Sequence, residues 1–150
     1  MTRIEDSIDI NVAPEKVSQY LWNASNLPNH LPISDIEMLE ESKEVVKFRH
    51  KITAAGRKMN VVCEMRQPEL NRRIAFKTVE GMRVEGTWLL EPTKKGTKLT
   101  AVIEYTPPGW IFGPILDKLR IKKEMGRMYT ESLQKLKKAL EWKIARSLKG

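Results

Sequence analysis

The spacing of hydrophobic residues along this chain switches between two residues and three to four, and each switch marks an element. Over residues 3–12, Ile4, Ile8, Ile10 and Val12 share one parity and only Asp6 breaks it, which predicts an amphipathic strand. Ala13 and Pro14 then open a short helix, with proline in its first turn and Glu15 beside the helix N-terminus. That helix should reach about Trp22 with Val17, Tyr20 and Leu21 inward. Pro28 and Pro32 bracket the next stretch and allow at most a second short helix.

From Ser34 to Thr106 the period is two. Ile36 and Met38 begin it; Val46, Phe48, His50 and Ile52 follow, then Met59, Val61, Cys63 and Met65. Ile74, Phe76 and Thr78, then Met82, Val84, Gly86, Trp88 and Leu90, then Leu99, Ala101, Ile103 and Tyr105 complete the series. Turns fall at Ala54–Gly56, at 67–71, at Gly81 and at Lys94–Gly96. Six such segments joined by short turns form an antiparallel meander, and residues 3–12 make a seventh strand. One face is apolar and the other charged, so one face must be covered.

The cover comes last. Pro114 and Asp117 suit a first turn, Lys143, Arg146 and Lys149 a last one, and no proline intervenes. Leu116, Leu119, Tyr129, Leu133, Leu136, Leu140 and Ile144 recur at three or four, with one gap, as a single apolar stripe. Thirty-five helical residues would span roughly 52 Å, against about 40 Å for the diameter of a chain this size. Gly126, in that gap, marks either a kink or a close approach. The expected architecture is α+β: a seven-stranded curved antiparallel sheet around one long C-terminal helix.

Composition narrows this further. A length of 150 residues fits one domain, 1–150, able to bury about 70% of its unfolded surface. A hydrophobic fraction of 41% and mean hydropathy of −0.45 are those of a soluble globule, and the acids near the N-terminus do not fit a signal peptide. Cys63 is alone, which excludes an internal disulfide and a cysteine-based zinc site and fits a cytoplasmic protein. Net charge is +8, and residues 110–150 hold 11 Lys/Arg against 4 Asp/Glu. The basicity therefore belongs to the long helix. It reads as a solvated outer face, with Glu131 and Lys135 spaced for an ion pair, and leaves room for weak contact with an anionic membrane. No nucleic-acid partner is expected, because exposed aromatics do not interleave with the basic residues.

Catalytic spacing is missing. There is no HExxH, CxxC, Gly-rich phosphate loop or Gly-x-Ser-x-Gly elbow, and no metal or cofactor is expected. More informative are polar residues of inward parity: His50, Cys63, Thr78 and Tyr105 on the sheet and Tyr129 on the helix. A curled sheet meeting one helix leaves a wedge of space, and mostly apolar pockets with a few aimed polar groups suit small molecules. The candidate cavity residues are Phe48, His50, Met59, Val61, Cys63, Phe76, Thr78, Val84, Trp88, Ile103, Tyr105, Leu119 and Tyr129. Trp22, Leu27, His30, Leu31, Trp110 and Phe112 are the candidate rim. His50, Thr78 and Tyr105 are expected to orient a polar end.

Several stretches also resemble a known family. They are Ile10-Asn11-Val12-Ala13-Pro14-Glu15-Lys16-Val17 with Tyr20-Leu21, then Leu27-Pro28-Asn29-His30-Leu31-Pro32. Gly86-Thr87-Trp88-Leu89-Leu90-Glu91-Pro92, Gly96-Thr97-Lys98-Leu99-Thr100 and Leu133 to Glu141 complete the set. In this order and spacing the chain resembles the START/SRPBCC helix-grip superfamily, in particular its polyketide cyclase/dehydrase and lipid-transport group. The resemblance implies a β-α-α-β6-α helix-grip fold with a hydrophobic cavity between sheet and long helix. It implies an apolar ligand such as a lipid, isoprenoid, quinone or polyketide-like compound. It carries over no catalytic residue. Binding or carriage, without catalysis, is the expected role. The alternatives are a polyketide cyclase or dehydratase using His50 or Tyr105 as proton donor, and a basic-helix module for anionic membranes.

Overall fold

The computed structural model describes residues 2–54, 57–106 and 118–149. Strand β1 (Thr2–Ile10) leads into helix α1 (Pro14–Trp22) and a short 3₁₀ helix (Ala24–Asn29). Six strands follow: β2 (Ile33–Glu41), β3 (Val45–Ala54), β4 (Arg57–Glu69), β5 (Arg73–Glu80), β6 (Arg83–Pro92) and β7 (Thr97–Thr106). Helix α2 (Lys118–Lys149) closes the chain. All seven strands form one antiparallel sheet in the order β1-β7-β6-β5-β4-β3-β2. The meander is thus as its periodicity predicts, and β1 adds itself to β7 with Ile4 opposite Ile103 and Ile8 opposite Leu99.

Local chemistry explains the joints. Proline begins α1, where its missing N–H costs nothing, and the Asn23 side chain accepts from the Ser25 N–H to start the 3₁₀ helix. Ser18 of α1 donates to Gln67 Oε1 at 2.7 Å, pinning that helix to the β4–β5 turn, while Thr97 donates to the Val12 carbonyl at 2.7 Å. Gly96 is obligatory: a Cβ there would collide with the backbone of Ile10 and Val12.

Asp6, the exception in the β1 pattern, is an anchor for α2, accepting from Thr130 Oγ1 at 2.6 Å. Lys137 reaches the Asp9 carbonyl at 2.5 Å and Glu141 at 2.7 Å, and Glu141 in turn accepts from the Asn11 N–H at 3.0 Å. The bonds to Asp6, Asp9 and Asn11 dock the helix along β1 and the residue after it, each worth about 1 kcal/mol, while the stripe Leu133, Leu136 and Leu140 is buried in the core with Trp88, Leu90 and Leu99.

Four expectations change. Leu119, assigned to the inward stripe, is 84% exposed. Gly126 sits in unbroken helix with nothing within 4 Å of where a Cβ would lie, so close packing is not the reason for it. Met38 is exposed, on an edge strand whose register is broken by two irregularities. Among the described residues of α2 the ion pairs are Arg120 with Glu124 and Lys137 with Glu141, and Glu131 and Lys135 do not form one. The expected turn residues Ala55 and Gly56, the helix start at Pro114, Leu116 and Asp117, and the side chains of Lys143, Ile144, Arg146 and Lys149 lie outside the described residues. Among the described residues, no helix is long and apolar enough to cross a membrane.

Candidate functional site

Between the sheet and α2 lies a cavity of about 120 Å³. Its floor is the inner face of the sheet from β3 to β6, one wall is the run Leu27–Ile33, and its roof is Met125, Met128 and Tyr129 of α2. The inner parity of the strands builds the floor. Phe48, Cys63 and Thr78 are register partners across β3, β4 and β5, and Phe76 stands opposite Gly86. That glycine has a defined task. A Cβ on it would lie 2.6 Å from the Phe76 ring and 2.6 Å from the Val102 carbonyl. Its absence leaves room for the Phe76 ring, which meets Trp88 at 4.9 Å between ring centres.

Most of the expected cavity residues are on this wall: Phe48, His50, Val61, Cys63, Phe76, Thr78, Val84, Trp88 and Tyr129. Leu27 and Leu31, expected at the rim, also line it. The others are elsewhere. Ile103 and Tyr105 are buried in β7, beyond the cavity wall, and Met59 is half-buried near the β3–β4 turn. Leu119 faces solvent. Trp22 packs against the core, and His30 is buried beside Tyr20 and Trp88 with Nδ1 3.1 Å from Ser132 Oγ. Trp110 and Phe112 lie outside the described residues.

Met125 and Met128 were missed. With Tyr129 and Ser132 they make a second inward row, at spacings of three and four, which the leucine stripe obscured. Met65, Met82 and Ile52, inward by parity, also line the cavity. Four methionines on one small wall give it side chains that can repack around different shapes.

The polar groups of the wall are all held neutral. Burial lowers the pKa of His50; the Lys51 backbone opposes this less strongly. Burial pushes the Cys63 thiol up to about 12 and raises the Tyr129 phenol as well, with Cys63 and Tyr105 nearby adding to it. Burial also lowers His30 from 6.5 to about 4. A thiolate or imidazolium is therefore scarce here at neutral pH. The Thr78 hydroxyl is already engaged, donating to the Val84 carbonyl at 3.3 Å and accepting from the Val84 N–H at 3.0 Å. Cys63 makes a long contact with the Glu64 carbonyl, at 4.0 Å. Nδ1 of His50 is buried with no hydrogen-bond partner among the described residues. Among the described residues, no aspartate, glutamate, lysine or arginine lines the cavity.

Among the described residues, no three His, Cys, Asp or Glu side chains converge as a metal site. A larger hollow, about 370 Å³, opens to solvent on the outer face of the sheet between Glu64, Lys77, Glu85 and Glu104. These belong to a row of charged residues that runs in register from Arg3 on β1 to Glu40 on β2. Ala75, Phe76 and Val102 line it as well, between the charged residues, and it is a shallower, more open site than the cavity under α2.

A sequence model of the family described as "Polyketide cyclase / dehydrase and lipid transport" matches residues 1–141. The chain belongs to this family. Solved structures share the family fold. A Thermus thermophilus protein, TTHA0849, is 24% identical, with a TM-score of 0.80 over 93% of this chain and 97% of that one. The aromatase/cyclase Zhui from a Streptomyces species is 15% identical, with a TM-score of 0.78 over 95% of each chain. The di-domain aromatase/cyclase StfQ of steffimycin biosynthesis is 19% identical at a TM-score of 0.78, and the match covers 95% of this chain but 52% of StfQ. No curated protein sequence matches the chain significantly. Identities this low establish the fold that the polyketide cyclase/dehydrase family member shares with these proteins, and no more.

Proposed function

We propose that this member of the polyketide cyclase/dehydrase and lipid transport family binds an apolar small molecule in the cavity between the sheet and α2. The molecule is a lipid, isoprenoid, quinone or polyketide-like compound, of which the cavity of about 120 Å³ takes a part about the size of one ring. One observation carries the reading: a cavity walled by apolar, aromatic and methionine side chains, with no charged side chain among the described residues that line it. Apolar burial is its source of affinity, at roughly 25 cal/mol per Å² removed from water. Binding or carriage is favoured over catalysis because the titratable groups at hand are shifted away from the range in which they would exchange protons at neutral pH.

Native mass spectrometry of gently purified protein should find a bound apolar molecule, and a panel of hydrophobic compounds should raise the melting temperature. The variant Val84→Phe, which adds bulk on the floor of the cavity, should stay folded and lose binding at least tenfold. A clean apo mass together with no thermal shift from the panel would sink the proposal.

A further inference from the structure

We infer that the molecule held in this cavity is uncharged and carries a hydroxyl that meets Nδ1 of His50, and that carboxylates and phosphates of the same size are rejected. The inference rests on the binding role proposed above and adds the ligand's charge and the place of its polar end. Three features of the wall lead to it.

First, no described residue of the wall can balance a negative charge. The cavity is lined by residues from β3 to β6, from the run Leu27–Ile33 and from α2, and none of them is Lys or Arg. An ionised carboxylate moved into such a wall loses its hydration with no counterion in return, which costs several kcal/mol. Second, the polar side chains of the wall are not equally free. Thr78 has given both its donor and an acceptor to Val84. His50 has not: its Nδ1 is buried and unpartnered, and it stands on the wall beside Phe48 at 5.3 Å between ring centres. A buried polar atom without a partner costs free energy, which a ligand able to complete the bond relieves. Third, the ring stays neutral. With its pKa lowered by burial, it presents no positive charge that would invite an anion. A neutral imidazole nitrogen is a donor in one tautomer and an acceptor in the other, and a hydroxyl can serve either.

Size sets the probe. A cavity of about 120 Å³ is close to the ~150 Å³ apolar cavity that takes up benzene. The test therefore uses a matched set of single-ring compounds at pH 7: 4-propylphenol, propylbenzene and 4-propylbenzoate, with dissociation constants measured by ligand-detected NMR. The phenol should bind tightest, the hydrocarbon several-fold more weakly, and the benzoate at least tenfold more weakly than the phenol. His50→Leu should bring the phenol down to the level of the hydrocarbon while leaving the hydrocarbon unchanged. His50→Gln should restore part of the difference. If His50→Leu does not fold, the comparison of phenol with benzoate on the unaltered protein still decides. Benzoate binding as well as phenol, or His50→Leu weakening phenol and hydrocarbon alike, overturns the inference and leaves the cavity's binding role standing. If none of the three compounds binds and a wider apolar panel also fails, the binding role falls and this inference falls with it.

Discussion

The two ends of α2 make opposite contacts with the same sheet. Toward its C-terminal end Leu133, Leu136 and Leu140 are buried, and Thr130, Lys137 and Glu141 are tied to β1 and the residue after it by hydrogen bonds. Toward its N-terminal end the heptad positions continue through Gly126, which has open space where a side chain would be, to Leu119, which is 84% exposed. One end is gripped and the other diverges. The cavity lies under the diverging part, beneath Met125, Met128 and Tyr129. A uniform leucine stripe would have sealed the helix to the sheet along its length, and this chain stops the seal partway.

Truncation should separate the two ends most strongly. Leu136→Ala removes a fully buried side chain and should cost about 3 kcal/mol, whereas Leu119→Ala should change stability by less than about 0.5 kcal/mol. Urea unfolding followed by circular dichroism would measure both, and equal losses would mean that the helix is docked evenly.

Acid should loosen the gripped region next. His30 is buried and bonded to Ser132 of α2, with a folded pKa near 4 against 6.5 in the unfolded chain. Between those values the unfolded chain takes up a proton that the folded one refuses. Stability therefore falls as pH drops from about 6.5 to 4, by up to roughly 3 kcal/mol from this residue, and His50 acts in the same direction. A His30→Gln variant should show a flatter stability profile over that window. An unchanged slope would remove His30 from the account.

The glycines give the smallest effects and differ in sign. Gly86→Ala presses on the Phe76 ring and the Val102 backbone and should destabilise by about 1–3 kcal/mol. Gly126→Ala meets nothing, replaces a poor helix former, and should stabilise by about 0.5–1 kcal/mol. Thermal melts of the two variants should therefore move in opposite directions.

Legibility from sequence followed the range of the forces involved. Strand parity placed Phe48, His50, Cys63 and Trp88 on the inner face because alternation is a local property of extended backbone, readable within each segment. Turn chemistry and short connections then dictated the meander. Helical spacing located Leu133, Leu136 and Leu140 for the same reason.

What the sequence could not determine was where the two layers part. Parity says that Tyr105 and Phe76 both face inward, yet only Phe76 reaches the cavity, because β7 lies beyond β6 toward β1 and the helix is docked on that side. Asp6 looked like an error in a strand until the Thr130 hydroxyl, far along the chain, gave it a partner. The amino-acid pattern alone determined the elements, their order and the faces they bury. The tertiary structure decided which of those faces touch and which leave space between them, because that depends on the tilt of a rigid helix over a twisted sheet, and neither element specifies that tilt by itself.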